Sequence, residues 1–261
     1  MITVIVPTDF SETANNAALY AGKMLTGNYD VELILYHIYE KDNQVDNAEK
    51  TLNDLKDLLS QQSIVKIETK CDKSDDFIDS LDRLARHHSA QLIVMGISSK
   101  SKLGQVFFGS NTLKIVQKNA CPVMIIPPEA QFSDKKNVAL ISDFKDVEKT
   151  TPVTPIKNIL KLFNPSLHIV NVDSEHYVSL TEEYLAQRSY LQESFQEFNP
   201  EFYFIRTYDV HDTIHTFVQD KKIDMLVTIP RHHSLFSNLF KISNTKKLVY
   251  ESSIPILAAH E

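Results

Sequence analysis

The chain has 261 residues, of which 43% are hydrophobic and 23% charged, with a formal charge of −7 at pH 7. This composition excludes a disordered chain, and it excludes a general nucleic-acid binder, which needs a net basic surface to exchange phosphate counter-ions. No apolar run approaches the ~18 residues of a membrane span, and Met1 leads into an apolar segment with no basic leader, so a cytoplasmic protein without membrane contact is expected.

In chain order, residues 2 to 6 form a continuous apolar run, the pattern of a central parallel strand covered on both faces. Pro7-Thr8-Asp9-Phe10-Ser11 reads as a turn with Ser11 as helix N-cap, followed by a helix carrying Ala14, Ala17, Ala18, Ala21 and Leu25. Residues 31 to 38 are a second strand. Leu52, Leu55, Leu58 and Leu59 mark a second helix, and 64 to 69 alternate as a third strand. Phe77, Ile78, Leu81, Leu84 and Ala85 make another helical stripe, and strands at 91 to 95 and 122 to 126 flank a helix that opens at Ser110.

The polar stretch 128 to 136 separates two apolar strands and reads as a linker, after which the series restarts. The spacing predicts strands at 137 to 141, 167 to 172, 202 to 207, 223 to 229 and 254 to 259. Helices are predicted through Ile156, Ile159, Leu160 and Phe163, then over 180 to 198, 211 to 220 and 244 to 252. The restart is a true repeat. Residues 92 to 124 align without a gap on 225 to 257, and Thr8-Asp9-Phe10 matches Ser142-Asp143-Phe144.

Strands alternating with helices mean a parallel sheet with right-handed crossovers. The expected fold is therefore α/β: two repeated open-sheet sandwich domains, each a five-stranded parallel sheet with helices on both faces. The boundaries are 1–128, a linker at 129–136, and 137–261. The chain has 5 glycines, none in the second half, and Ile229 and Ile242 stand where the first half has Gly96 and Gly109. Close backbone approach to a ligand is thus confined to the first half.

In an open parallel sheet, ligands bind beyond the carboxyl ends of the strands, where neighbouring crossovers leave to opposite faces. Pro7, Thr8 and Asp9 end the first strand there, Ile38 the second, and Met95, Gly96, Ser98 and Ser99 the fourth. Gly109, Ser110 and Asn111 open the helix that follows, whose unpaired N–H groups suit phosphate oxygens. Asp9 suits ribose hydroxyls, Ile38 suits a base, and Lys100 and Lys102 suit phosphate charge. The same residues have plainer uses: Ser110 as an N-cap, Asp9 as a brace for the first helix, Gly96 in a tight turn.

This pattern resembles the universal stress proteins, whose signature is Gly, two residues, Gly, nine residues, Gly, then Ser or Thr. Gly96, the nine residues from Lys100 to Phe108, and Gly109-Ser110 fit it, with Cys121-Pro122-Val123 closing in the family's manner. Val6-Pro7-Thr8-Asp9-Phe10-Ser11 is similar to the family's first loop, and the doubled chain resembles its tandem members. The second signature glycine is Ser99 here. The resemblance implies an adenine nucleotide alpha hydrolase-like fold and a stress-response regulator that binds ATP, with or without Mg, or a related adenine nucleotide in its first domain. It also implies that the final strands, Cys121 to Ile126 and Ile254 to Ala259, pair within one chain as a pseudo-dimer, leaving homodimerisation and protein partners open.

Other functions stand beside this one. A non-nucleotide interaction or scaffold protein of the same fold would have both pockets remodelled. A nucleotidyltransferase or pyrophosphatase would carry a His-x-x-His or Ser-Gly-Gly loop near the first strand, and neither is present. No nucleophile, base and orienter set is visible, so an enzyme is not expected, with slow ATP hydrolysis left open. Ten histidines include His87-His88, His232-His233 and the His211 and His215 pair, but none completes a four-ligand metal set. Cys71 and Cys121 have no motif spacing and are expected as free thiols, and Phe236, Leu239 and Phe240 as packing residues.

Overall fold

Apolar runs too continuous for a one-faced sheet become interior strands, and the longest of them set the frame of each half. The computed structural model describes residues 2–97, 110–118, 121–133, 136–173, 181–206, 210–230 and 254–260. They form two compact units, Met1–Ser133 and Asp134–Glu261.

The first unit contains β1 (Ile2–Pro7), α1 (Glu12–Leu25), β2 (Val31–Tyr39), α2 (Val45–Ser60), β3 (Lys66–Lys73), α3 (Phe77–His87), β4 (Leu92–Gly96), α4 (Ser110–Lys118) and β5 (Val123–Ile126). Its strands lie in the order β3-β2-β1-β4-β5, and every described pairing is parallel. The chain runs outward from β1 to β3, then crosses back to β4. With right-handed crossovers, α1 and α2 therefore lie on one face and α3 and α4 on the other. The switch point falls between β1 and β4, where Val4 pairs with Leu92.

The core is the expected one. Val4 to Val6, Leu33 to Leu35, Leu92 to Val94 and Val123 to Ile126 are buried, as are Ala17, Ala18 and Ala21 of α1. Each large aliphatic side chain removed from water contributes about 1.5–3 kcal/mol. Small alanines let α1 approach the sheet closely. Ser11 caps it, its Oγ accepting from the Ala14 N–H at 3.3 Å, and Gly27 at φ +87° turns the chain away at the other end.

β3 departs from its predicted span. Ile64 is exposed and lies outside the strand, while pairing with β2 runs from Glu32 opposite Lys66 to Tyr39 opposite Lys73. The backbone ladder of the long β2 carries the strand through charged residues, which an end strand tolerates because it is poorly covered.

The second unit contains β6 (Asn137–Ile141), α5 (Val147–Thr150), α6 (Val153–Leu160), β7 (Ser166–Asp173), α7 (Glu182–Ser194), β8 (Glu201–Arg206), α8 (Val210–Asp220), β9 (Met225–Thr228) and β10 (Ile256–Ala258). Its strand order is β10-β9-β6-β7-β8, again with parallel pairs. The repeat holds at the level of register. Ile93 faces Val123 and Leu226 faces Ile256; Thr3 faces Glu32 and Asn137 faces Ser166.

Two helices differ from expectation. The helix through Ile156 is split into α5 and α6, because Thr151 precedes Pro152 and is driven to an extended conformation, φ −100°, ψ 114°. It also ends at Leu160, before Phe163. The helix expected over 180 to 198 stops at Ser194, with a 3₁₀ turn over Gln196–Phe198 and Asn199 at φ 47° leading into β8. The helix expected over 244 to 252 lies outside the described residues.

Candidate functional site

Parallel pairing of β1 with β2 and β4 puts the carboxyl ends of the three strands side by side. The structure therefore brings Pro7, Thr8, Asp9, Ile38, Met95 and Gly96 to one end of the first unit. Pro7, Thr8 and Met95 are buried, Ile38 and Gly96 are half-buried, and Asp9 is exposed. A crossover helix runs antiparallel to its strands, so α4 opens at this same end, with Ser110 and Asn111 in its first turn. Ser98, Ser99 and Gly109, with Lys100 and Lys102, lie outside the described residues.

The loop after β1 is a self-braced corner. Phe10 has φ 62°, a left-handed conformation that costs a bulky residue about 1–2 kcal/mol. Local hydrogen bonds hold it there. The Phe10 N–H donates to Thr8 Oγ1 at 2.9 Å, and the Ser11 N–H to Asp9 Oδ1 at 3.0 Å. The Thr8 N–H donates to the Tyr36 carbonyl at 2.8 Å, which extends the β1–β2 ladder into the loop. One oxygen of Asp9 is thus used by its own loop, while the carboxylate stays at the surface.

Sequence reasoning passed over the residue that ties this corner to β2. His37 Nδ1 lies 2.8 Å from the Thr8 carbonyl oxygen, and since a carbonyl only accepts, Nδ1 carries the proton. The His37 ring also packs on Phe10, centroids 4.4 Å apart. The second unit repeats the device with different chemistry. Phe144 has φ 57°, its N–H donates to Ser142 Oγ at 3.2 Å, and Asn171 Nδ2 donates to the Ser142 carbonyl at 3.0 Å. The signal available in the sequence was the duplicated Asp-Phe, but His and Asn share no obvious likeness.

Gly96 has a packing reason to be glycine. A Cβ there would lie 2.3 Å from the Thr13 carbonyl oxygen and 2.7 Å from its carbon. The first turn of α1 therefore rests on the bare backbone at the end of β4. In the second unit Ile229 holds the matching place and is buried, and the segment that matches α1 is interrupted as α5 and α6. Above that corner lies an aromatic cluster. Phe144 stacks on Tyr184 at 5.2 Å and meets Phe204 edge-on at 5.5 Å. Burial pushes the Tyr184 phenol up to about 12, with Arg188 opposing the shift. Ile242 lies outside the described residues, as do His232, His233, Phe236, Leu239 and Phe240.

The two thiols are free. Cys121 is buried, which together with the charge of Asp82 pushes its pKa up to about 12, so it is no nucleophile. Among the described residues no group of three or more His, Cys, Asp or Glu side chains is placed to hold a metal ion. Nor is any helix among them long and apolar enough to cross a membrane.

Residues 1–127 match the model of the universal stress protein family. The first unit belongs to this family. Among solved structures, a universal stress protein from Archaeoglobus fulgidus DSM 4304 is 15% identical, with a TM-score of 0.66 over 99% of this chain and 96% of that one. A protein of unknown function from Pseudomonas aeruginosa PAO1 is also 15% identical, with a TM-score of 0.67 over 99% of this chain and 92% of that one. At this identity the likeness shows the fold, and it extends the α/β architecture of universal stress proteins over both units. A single-domain universal stress protein from Archaeoglobus fulgidus, solved in complex with dAMP, is 20% identical over 48% of this chain and 97% of that one, with a TM-score of 0.41. No curated protein sequence matches the chain.

Proposed function

We propose that this universal stress protein is a cytoplasmic stress-response regulator that binds ATP or a related adenine nucleotide in its first unit and has no dedicated catalytic role. The observation that carries the reading is the convergence of Pro7–Asp9, Ile38 and Met95–Gly96 on the switch point, with the Asp9 carboxylate exposed and α4 opening at the same edge. That donor set fits a nucleotide. Asp9 accepts from ribose hydroxyls, Ile38 flanks the base, and Gly109, Ser110 and Asn111 receive phosphate oxygens. A Mg ion would arrive on the phosphates rather than on a protein cage. The second unit, with Ile229 in place of Gly96, takes no nucleotide.

Equilibrium dialysis with ATP tests the reading. One nucleotide per chain is expected, with binding abolished by Gly109→Ile and weakened by about 1–3 kcal/mol in Asp9→Ala. Two equivalent sites, or affinity unchanged in both variants, would overturn it. No binding at millimolar ATP would instead favour an interaction protein of the same fold.

A further inference from the structure

We propose that the cleft between β3 and α3 is a second binding site, for a small anion carrying phosphate groups. The cleft holds about 630 Å³, the volume of a small-molecule site. Its walls present Lys70, Lys73, Arg83, His87 and His88 against a single carboxylate, Asp72. In a chain of net charge −7 this is a local reversal of sign.

The anionic side of the balance is already engaged. Asp72 Oδ2 accepts the phenolic proton of the buried Tyr36 at 3.0 Å, which holds the carboxylate against the strand. On α3, Asp82 pairs with Arg86 at 3.0 Å and Asp79 with Lys118. Arg83 is therefore in no ion pair among the described residues. One of its nitrogens donates to Ser80 Oγ at 3.2 Å, and Ser80 is bonded in turn to Ser74. This chain of contacts fixes the guanidinium at the cleft while leaving most of its donors for a ligand. Its planar fork matches two phosphate oxygens at once.

The lysines are available too. Lys70 pairs with Glu68 and Lys73 with Asp42, each at 2.7 Å, and both pairs are open to solvent. Such pairs are weak and screened, so an incoming phosphate displaces the carboxylate at little cost. The two imidazoles lie together, ring centroids 5.0 Å apart and edge to face, because His88 sits past the last turn of α3 rather than within it. The cleft stands on β3, separated from β4 by two strands, and none of Pro7, Asp9, Ile38 or Gly96 lines it.

Titration of the full-length ¹⁵N-labelled protein with inorganic pyrophosphate at fixed ionic strength tests the assignment. Saturable shifts are expected at the amides of Lys70 to Lys73 and Arg83 to His88. Arg83→Gln, a change at an exposed position, should weaken the fitted Kd by about tenfold or more, the loss expected for a charge-assisted bidentate contact. Gly109→Ile, which removes the proposed phosphate cradle of the nucleotide site, should leave it unchanged, which separates the two sites. Shifts that never saturate, a Kd unaltered in both Arg83→Gln and Lys73→Gln, or saturable shifts only around Thr8 and Gly96 would each overturn the proposal.

Discussion

Gly96→Ala separates a packing role from a ligand role at one position. The added Cβ would lie 2.3 Å from the Thr13 carbonyl oxygen, 2.7 Å from the carbonyl carbon and 3.2 Å from the Ala14 nitrogen. Ordinary carbon–oxygen contacts are about 3.3 Å, so the first turn of α1 must retreat by roughly 1 Å. That turn is not free to slide. Its start is fixed by the Ser11 cap and by the Asn15 N–H donating to the Ser11 carbonyl at 2.9 Å. Overpacking of this kind costs about 1–3 kcal/mol, and a weakened cap adds about 1 kcal/mol, for a total of about 2–4 kcal/mol. In a unit of this size each kcal/mol moves Tm by roughly 3–5 °C, so a fall of roughly 6–20 °C is expected without any nucleotide present. Scanning calorimetry of the full chain reads the shift, and hydrogen exchange at α1 amides assigns it to the first unit. A melting temperature within about 2 °C of wild type would refute the argument and return Gly96 to a purely ligand-driven role.

Four other outcomes are expected. Ser99→Gly should tighten ATP binding, read by equilibrium dialysis, because it removes a Cβ and admits positive φ in the proposed phosphate loop; looser binding would mean that the serine hydroxyl is itself a phosphate donor. Burial, aided by Lys221 and opposed by Glu201, holds the His168 pKa below its ordinary 6.5, so as pH falls below about 6.5 the unfolded chain takes the proton first and stability is lost. The urea midpoint should therefore drop more between about pH 7.5 and 5.5 in wild type than in His168→Gln, and an equal drop in both would contradict this. Native Cys121, buried and shifted upward, should resist alkylation at pH 8 until the protein is unfolded, as mass spectrometry of the labelled peptide would show. His37→Asn should keep the amides of Phe10 and Ser11 protected from exchange, as Asn171 performs the same task in the second unit, whereas His37→Leu should lose that protection by orphaning the Thr8 carbonyl.

Much of the fold was legible because its strands are buried on both faces. Val4–Val6, Leu33–Leu35 and Val123–Ile126 show continuous apolar runs that few other structures would tolerate, and the repeat fixed their order twice. β3 was misplaced because its span is set by the ladder with β2 rather than by its own side chains, five of whose eight residues from Lys66 to Lys73 are charged. The split between α5 and α6 could have been read from Pro152, but Ile156, Ile159 and Leu160 kept a helical period that masked it. The strand-end residues of the candidate site were found together because topology alone places them. The reason for Gly96 was hidden, since the Thr13 carbonyl it accommodates belongs to a helix distant in sequence. The β3–α3 cleft was hidden for the same cause: Lys70 and Arg83 become neighbours only after folding.

The duplicated corner shows what can and cannot serve as a sign of function in this chain. Phe10 and Phe144 both adopt positive φ, and both corners are tied to the next strand by a side-chain donor, His37 in one and Asn171 in the other. A costly conformation kept in both units, although their glycines differ, belongs to the fold: it turns the chain from the first strand into its crossover helix. Asp9 and Asp143 brace that turn in the same way, accepting the Ser11 and Lys145 N–H at 3.0 and 3.1 Å. Their presence alone therefore says little about a ligand. What differs is what lies over the corner. In the first unit the Phe10 ring rests on a half-buried histidine and the neighbouring strand end is a glycine. In the second, Phe144 is buried beneath Tyr184 with Phe204 beside it, and the strand end is a buried isoleucine. Side chains already fill the second arrangement, and among the described residues no such aromatic cluster covers the first. The proposed asymmetry of a single nucleotide per chain would thus rest on side-chain volume above a shared backbone frame.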